Sequence, residues 1–518
     1  MWPGLVGAKE PVLSIVLDTS ASGPVISRNI FGQFAEQLGE GIYGGIWVGK
    51  DSAIPNIRGI RGDVVAALRA LKIPNIRWPG GCFADSYNWR DGIGPADQRP
   101  ATYNINWGPP LETNEFGTDE FMDLVGQVGS EAYVSVNVGS GTAREAAQWL
   151  EYMTSAQPTT LTLQRQANGR QAPYRVKFLG FGNEVWACGG DMTAQTYVEH
   201  LRTFAHFVRN LNPAQSGPNR FMPGADPMVG IAVGPGDDNP EYTEAIMKAW
   251  SEDSALAKAV QGLSIHHYTM GNKGAMRDPA TGFGDSEYVA FVHNAYAMDK
   301  LIDENAAIMD KYDPQKRVGL VIDEWGTWLQ PMPGTPTLNI KQQNSLRDAI
   351  VAAIHLNIFA RRADRVRMAN IAQMVNVLQS MILTDGNKML LTPTYHLFKM
   401  YVPFQDATLM PLKMEQGEFR SGDTVVPRID AIAARASDRT ILLAITNIDP
   451  RQGTSIRLPG IAGHISGETL TAEHIDDINT FENLRAVQPR VLNGHPERDG
   501  LVIDVPAKSV SVLRIRAN

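Results

Sequence analysis

Val176–Trp186 reads VKFLGFGNEVW, and Val318–Trp325 reads VGLVIDEW. Each is a short run of apolar residues that stops at polar groups, Asn183-Glu184 in the first and Asp323-Glu324 in the second. Short β-rich runs of this kind, alternating with helical patterns, are the mark of parallel βα units. Working outward from these two, six more runs share the pattern: Asn29–Phe34, Asn75–Pro79, Ala132–Val138, Val229–Val233, Leu263–His267 and Arg367–Ile371. With Val176–Phe181 and Val318–Ile322 they make eight strands. Between them, Thr142-Ala-Arg-Glu145 is a capping box ahead of a helix over Ala143–Met153. A second helix, DVVAALRALK from Asp63, is apolar at helical spacing and stops before Pro74. Eight βα units closing on themselves predict a (β/α)₈ TIM barrel.

After Tyr401 the pattern changes. Ile429–Ala434, Thr440–Thr446, Ser455–Leu458, Thr469–His474 and Leu501–Val505 are short runs set between turn residues, and the chain closes on VSVLRIRA. This predicts an all-β sandwich. A further strand, Pro11–Val16, has no place in the barrel count and is expected to pair with the C-terminal sheet. The predicted organisation is residues 1–27 as an N-terminal strand segment belonging to the sandwich, 28–400 as the barrel, and 401–518 as the sandwich.

The bulk composition agrees. A chain of 518 residues has room for one large domain and one small. With 43% hydrophobic and 20% charged residues it can bury a sizeable core. A net charge of -8 gives no attraction for phosphate, so no nucleic-acid partner is expected and a neutral substrate fits better. No apolar run approaches the ~20 residues needed to span a bilayer, so no membrane partner is expected. Met1–Ala8 lacks a basic segment followed by an apolar one, so no signal peptide is visible; a cytoplasmic location and an exported one both stay open. Cys82 and Cys188 are the only cysteines, too few for a disulfide framework, though one bridge can form.

Active sites of such barrels lie where strands end and βα loops begin. The polar groups at those ends are Glu36, Arg77, Asn137, Asn183, Glu184, His266, His267, Tyr268, Asp323, Glu324, Asn370 and Gln373, with Trp78 and Trp325 beside them. Two carboxylates, an amide next to one, and many aromatic rings make the composition of a sugar site. Glycoside cleavage needs one carboxylic acid to protonate the leaving oxygen and a second carboxylate to attack or to activate water. Glu184 stands between apolar residues directly after a strand, which sets it apart from an ordinary solvated carboxylate. Asp323 and Glu324 compete for the second role, because strand alternation sends neighbours to opposite faces and only one can look into the site. His266 and His267 are adjacent on a strand and cannot both face one ion, and no H-E-x-x-H or C-x-x-C spacing exists, so no metal is expected. Trp47, Trp107, Trp325 and Trp328 fit either core or site. Cys82 has no His or Asn arrangement that would make it a nucleophile.

Six blocks in order carry a resemblance: FGQFAEQLGEGIYGGIW from Phe31, RWPGGCFADSYNWRDGIGP from Arg77, ETNEFGTDEF over Glu112–Phe121, FLGFGNEVW, IHHYT and VIDEWGTW. Together, over about residues 29–398, they resemble glycoside hydrolase family 51. Most members are α-L-arabinofuranosidases and a minority are endoglucanases. The resemblance implies Glu184 as acid/base and Glu324 as nucleophile, which resolves the competition with Asp323. It implies that Glu36, Cys82, Asn183, Tyr268 and Gln373 contact the sugar and that Trp107 lines the leaving-group side. It also implies arabinose-containing oligo- or polysaccharides as partners, no cofactor, and a homo-oligomer. The expected activity is a retaining, exo-acting α-L-arabinofuranosidase. An endo-β-1,4-glucanase and a catalytically inactive sugar-binding protein are the alternatives. Asn272–Ser286 is a long stretch after the sixth strand, read as a lid or specificity loop.

Overall fold

The computed structural model describes residues 12–108, 111–217 and 224–516. Met1–Ala8, Pro11 at the start of the first expected strand, and Ala517 at the end of the last lie outside the described residues. Eight parallel strands close into a barrel: β1 (Gly32–Phe34), β2 (Asn75–Trp78), β3 (Glu131–Val136), β4 (Phe178–Phe181), β5 (Val229–Ala232), β6 (Gly262–Thr269), β7 (Gly319–Thr327) and β8 (Val366–Ile371). They are hydrogen-bonded in chain order around the ring, and β8 closes on β1 through Asn370 opposite Gly32. Each is almost wholly buried, as strands covered by helices outside and side chains inside must be.

The segment Asn29–Phe31 is not strand. Arg28–Phe31 forms a 3-10 turn, capped by the Ser27 side chain, and the ladder begins only at Gly32. Conversely, β7 runs five residues past Ile322, to Thr327. The helix after β3 follows its local signal closely. Thr142 Oγ1 accepts from the Glu145 amide while the Glu145 carboxylate accepts from Thr142, satisfying donors that the helix Ala143–Thr154 would leave unpaired. Inside the barrel, Tyr133, Phe178, Ile231, Val321 and Met368 from five different strands form a buried cluster of their own. This cluster fills the barrel from within, so its interior is a packed core and not a channel.

The C-terminal part is a two-sheet sandwich. One sheet has six strands, in the order Thr408–Met410, Ile429–Arg435, Ile441–Asn447, Ser509–Arg516, His464–Leu470 and Pro489–Asn493. The other has five, and Val12–Leu17 lies inside it, antiparallel to Leu412–Met414 and parallel to Thr454–Pro459. Ile15, Leu17, Ile429, Leu443, Ile456, Ile503 and Leu513 meet in the core between the sheets. The strand expected at Thr469–His474 is displaced: the observed element is His464–Leu470, and its partner strand Pro489–Asn493 had no clear alternation to reveal it. The tie between the parts includes Tyr288 Oη donating to the Ile448 carbonyl at 2.7 Å and Arg361 pairing with the buried Asp430 at 2.6 Å. Among the described residues no helix is long and apolar enough to cross a membrane.

Candidate active site

The C-terminal strand ends surround a cavity of about 280 Å³. Glu36, Cys82, Trp107, Glu184, Tyr268, Glu324 and Gln373 all line it. Asn183 does not; it sits just behind the wall, 1% exposed.

β7 departs from simple alternation. Its pairing register with β6 shifts between Val321 and Glu324, and with β8 between Ile322 and Trp325. A bulge places successive side chains where a regular strand could not. Asp323 and Glu324 therefore both reach the same two cations, so they do not lie on opposite faces of the strand as regular alternation would place them, but only Glu324 lines the cavity. Arg77 Nε lies 3.4 Å from Asp323 Oδ2, and Arg77 Nη1 lies 3.1 Å from Glu324 Oε2. His266 Nε2 lies 3.2 Å from Asp323 Oδ1, while its Nδ1 lies 2.8 Å from Glu184 Oε1 and 3.6 Å from Glu324 Oε2. The division of labour is one of depth. Asp323 is buried and also accepts from Tyr133 Oη at 2.6 Å, so it anchors the cations. Glu324 lines the cavity, with Oε1 accepting from Tyr268 Oη at 2.7 Å.

These contacts set the charges. Burial pushes the Asp323 carboxyl up, but Arg77, His266 and Tyr133 outweigh it and hold it below the usual carboxylate range. Glu324 goes the other way: burial raises it, His266 and Arg77 pull it down, and Glu184 nearby raises it again, leaving it above the ordinary value. Burial alone would strip His266 of its proton, but Glu324, Asp323 and Glu184 together raise it to about 10. The imidazole is thus a cation held between three carboxylates. Glu184, at the turn after β4, adopts φ +36°, a left-handed conformation unusual for a residue with a side chain. Its surroundings are polar rather than the apolar pocket that FGNEVW suggested, with His266 on one oxygen and the Cys188 sulfur 3.7 Å from the other.

Glu36 explains the Pro-Gly-Gly run. A Cβ on Gly81 would lie 2.4 Å from Glu36 Oε2, and one on Gly80 2.7 Å from Glu36 Cγ. Only glycine leaves room for the carboxylate to lie against that backbone. Glu36 Oε1 accepts from the Phe83 amide at 2.9 Å and from Trp107 Nε1 at 2.8 Å; Oε2 accepts from Gln373 Nε2 at 3.3 Å. Burial and the charge of Glu324 push Glu36 up to about 7. Among the described residues Gln373 Oε1, buried, has no hydrogen-bond partner, and its residue lines the cavity. Trp107 therefore fixes Glu36 as well as facing the cavity.

Cys82 and Cys188 form a disulfide, Cα to Cα 5.4 Å, joining the loop after β2 to the turn that carries Glu184. Cys82 has no thiol to donate to a sugar, so any contact it makes is through the sulfur or its backbone. Four residues at or near the site were not singled out from sequence. Asp85 accepts from the amides of Val138, Gly139 and Asn183 at 2.7, 2.8 and 2.6 Å, and so fixes the backbone beside Glu184; burial raises it to about 7. Tyr133 holds Asp323. Trp186 and Asp237 line the cavity. The Asn183 side chain accepts from Arg77 Nη2 at 2.5 Å. The stretch Asn272–Ser286 is tied down at Asp278, whose carboxylate accepts from the amides of Gly271 and Lys273, and it contributes Ala275 to the cavity. Met276, like Trp107, Tyr268 and Trp328, packs against the buried cluster of Phe34, Leu38, Ile340, Ala372, Val377 and Leu378.

Ligand atoms of Glu184, His266 and Glu324 lie within 4.8 Å of one another, the spacing of a metal site. Both His266 nitrogens already face carboxylates, however, and a protonated imidazole repels a cation.

Comparison with known proteins places this arrangement. Residues 67–272 match the alpha-L-arabinofuranosidase 1 domain, and residues 323–509 match the alpha-L-arabinofuranosidase C-terminal domain. An intracellular exo-alpha-L-arabinofuranosidase of Bacteroides ovatus is 41% identical over 97% of this chain and 95% of its own. The crystal structure of the GH51 arabinofuranosidase from Xanthomonas axonopodis pv. citri superposes with a TM-score of 0.92 at 44% identity, covering 98% of this chain and all of that one. An alpha-L-arabinofuranosidase from Thermotoga maritima, solved as an arabinose complex, gives 0.82 at 29% identity, covering 97% of this chain and 99% of that one. The chain belongs to the α-L-arabinofuranosidases of glycoside hydrolase family 51.

Proposed function

We propose that the protein is a retaining, exo-acting hydrolase that releases terminal α-L-arabinofuranose from hemicellulose or arabino-oligosaccharides. The observation that carries this reading is the spacing of the two carboxylates that line the cavity. An oxygen of Glu184 lies within 4.8 Å of one of Glu324. Retaining enzymes keep their carboxyl groups ~5–5.5 Å apart, whereas inverting ones need ~6.5–9.5 Å to admit a water.

In this reading Glu324 attacks the anomeric carbon as Glu184 protonates the departing oxygen, giving a glycosyl ester on Glu324. Glu184, now a carboxylate, takes a proton from water, whose oxygen displaces Glu324 and frees the sugar. Arg77, Tyr268 and His266 all face Glu324 and favour its charged form before attack. When the ester forms, that charge is lost, and the His266 cation is left to stabilise the newly charged Glu184. One cation thus serves each carboxylate in turn. Glu36 and Gln373, on the β1 and β8 side, supply acceptors for the hydroxyls of a single ring. Such groups reject a wrong sugar because each one left unpaired costs ~1–3 kcal/mol. The Bacteroides ovatus relative is itself named an exo enzyme.

The test is release of 4-nitrophenol from its α-L-arabinofuranoside and from its β-cellobioside, with arabinoxylan, arabinan and a linear β-glucan as polymers. Rapid cleavage of the arabinofuranoside and arabinose as the only small sugar released are expected. Shortening of the glucan with no free arabinose would replace this reading with the endo-glucanase one.

A further inference from the structure

The cavity has a second wall, on loops that play no part in holding the carboxylates. In the closed ring β5 lies across from β1. Glu36, Trp107 and Gln373 come from the loops after β1, β2 and β8. Trp186 follows β4, Asp237 follows β5, and His267 stands on β6, so these three face the first set across the cavity.

Their packing looks built. Trp186 is half-buried, its indole N–H donates to the Gly234 carbonyl at 3.0 Å, and the ring lies close against Gly236, where a Cβ would come within 2.9 Å. Asp237 is 49% exposed in its side chain, yet it is held: His267 Nδ1 lies 2.5 Å from its Oδ1. His267 is in turn fixed by burial beside His355, ring centroids 6.2 Å apart. Among the described residues nothing hydrogen-bonds the second oxygen of Asp237. A carboxylate kept in one place at a cavity rim, with a free acceptor oxygen and an aromatic ring nearby, matches a sugar ring with one apolar face and hydroxyls at its edge. Hydroxyls bind a charged acceptor about twice as strongly as a neutral one.

We infer that Trp186, Asp237 and His267 form the leaving-group subsite, and that Asp237 selects leaving groups carrying free sugar hydroxyls over flat aromatic ones. This rests on the assignment of Glu184 and Glu324 above. Attack and protonation occur on opposite sides of the anomeric carbon, so the leaving oxygen departs on the side of Glu184. Trp186 stands two residues beyond Glu184 in sequence. Trp107, bonded to Glu36, lines the same cavity from the loop after β2.

The experiment compares wild type, Asp237→Ala and Asp237→Asn on two substrates. One is 4-nitrophenyl α-L-arabinofuranoside. The other is whichever of α-1,5-arabinotriose and an arabinofuranosyl xylo-oligosaccharide the wild type cleaves faster. For Asp237→Ala, kcat/KM on the oligosaccharide should fall about tenfold further than on the aryl glycoside, with Asp237→Asn in between because it keeps a neutral acceptor. Equal losses on both substrates, or none on either, would overturn the subsite. So would a wild type that cleaves the aryl glycoside but neither oligosaccharide. If the wild type does not cleave the aryl arabinofuranoside at all, the arabinofuranosidase reading fails instead, and the two failures are distinct.

Discussion

His266 Nδ1 lies 2.8 Å from Glu184 Oε1, while the same ring's Nε2 faces Asp323 at 3.2 Å. A buried cation fixed at one end by an anchoring carboxylate presents its other nitrogen to Glu184, the proposed proton donor. It also lowers the pKa of Glu324, which burial raises. His266→Asn should therefore raise the Glu324 pKa. The acid limb of kcat/KM should move to higher pH, and the rate at its optimum should fall by about one to two orders of magnitude. A pH-rate profile decides this. A uniform loss with an unmoved acid limb would reduce His266 to packing.

Glu184→Ala should discriminate between leaving groups. An activated aryl oxygen departs with little protonation, whereas a sugar hydroxyl needs it, so loss on oligosaccharides should exceed loss on the 4-nitrophenyl glycoside by roughly 10²-fold or more. Equal losses would make Glu184 a structural residue.

Glu36 ties pH to both binding and stability. Its pKa stands at about 7, above the ordinary 4.5. A group raised in the folded state contributes stability that is fully present below its unfolded value and is lost as pH rises through the folded one. Glu36 should thus remove on the order of 3 kcal/mol between about pH 4.5 and 7, before solvent relaxation reduces it. Asp85, raised from 3.8 to about 7, acts in the same direction. Melting curves of wild type and Glu36→Gln across that window should converge at low pH and favour the variant near neutrality. At the same time, arabinofuranoside turnover should fall about tenfold or more, for one lost charged hydrogen bond. An unchanged difference in Tm across the window would contradict the burial argument.

Much of this site was legible in the sequence for a physical reason. Parallel strands buried on both faces write their ends as abrupt apolar-to-polar steps, so NE after FLGF and DE after LVI announce themselves. Local signals such as the Thr142–Glu145 box depend on nearest neighbours and were equally readable. Other features depend on contacts far apart in the chain. The β7 bulge that turns both Asp323 and Glu324 inward is set by register with β6 and β8. Asp85 looks like any loop aspartate until β4 arrives 98 residues later to donate the Asn183 amide. Asp237 gains its meaning only from His267. Likewise, two cysteines 106 residues apart carry no pairing signal in themselves.

That disulfide closes a long loop at the turn that carries Glu184. Restricting the unfolded chain over this separation is worth up to about 4–5 kcal/mol in the chain-entropy account. Cys188→Ser should lower Tm by several degrees. It should also reduce kcat more than it raises KM, because Cys188 stands 3.7 Å from Glu184 Oε2 and orders the turn that carries it. Thermal unfolding beside steady-state kinetics measures both. A variant as stable as wild type would show that the bridge adds nothing to the fold.

The central claim is the double displacement on Glu324 assisted by Glu184. Proton NMR of the first arabinose released, recorded before it mutarotates, tests it most directly. On this account the first-formed sugar is the α-anomer, the configuration of the substrate. Initial appearance of the β-anomer would mean a single displacement by water, and would contradict the account.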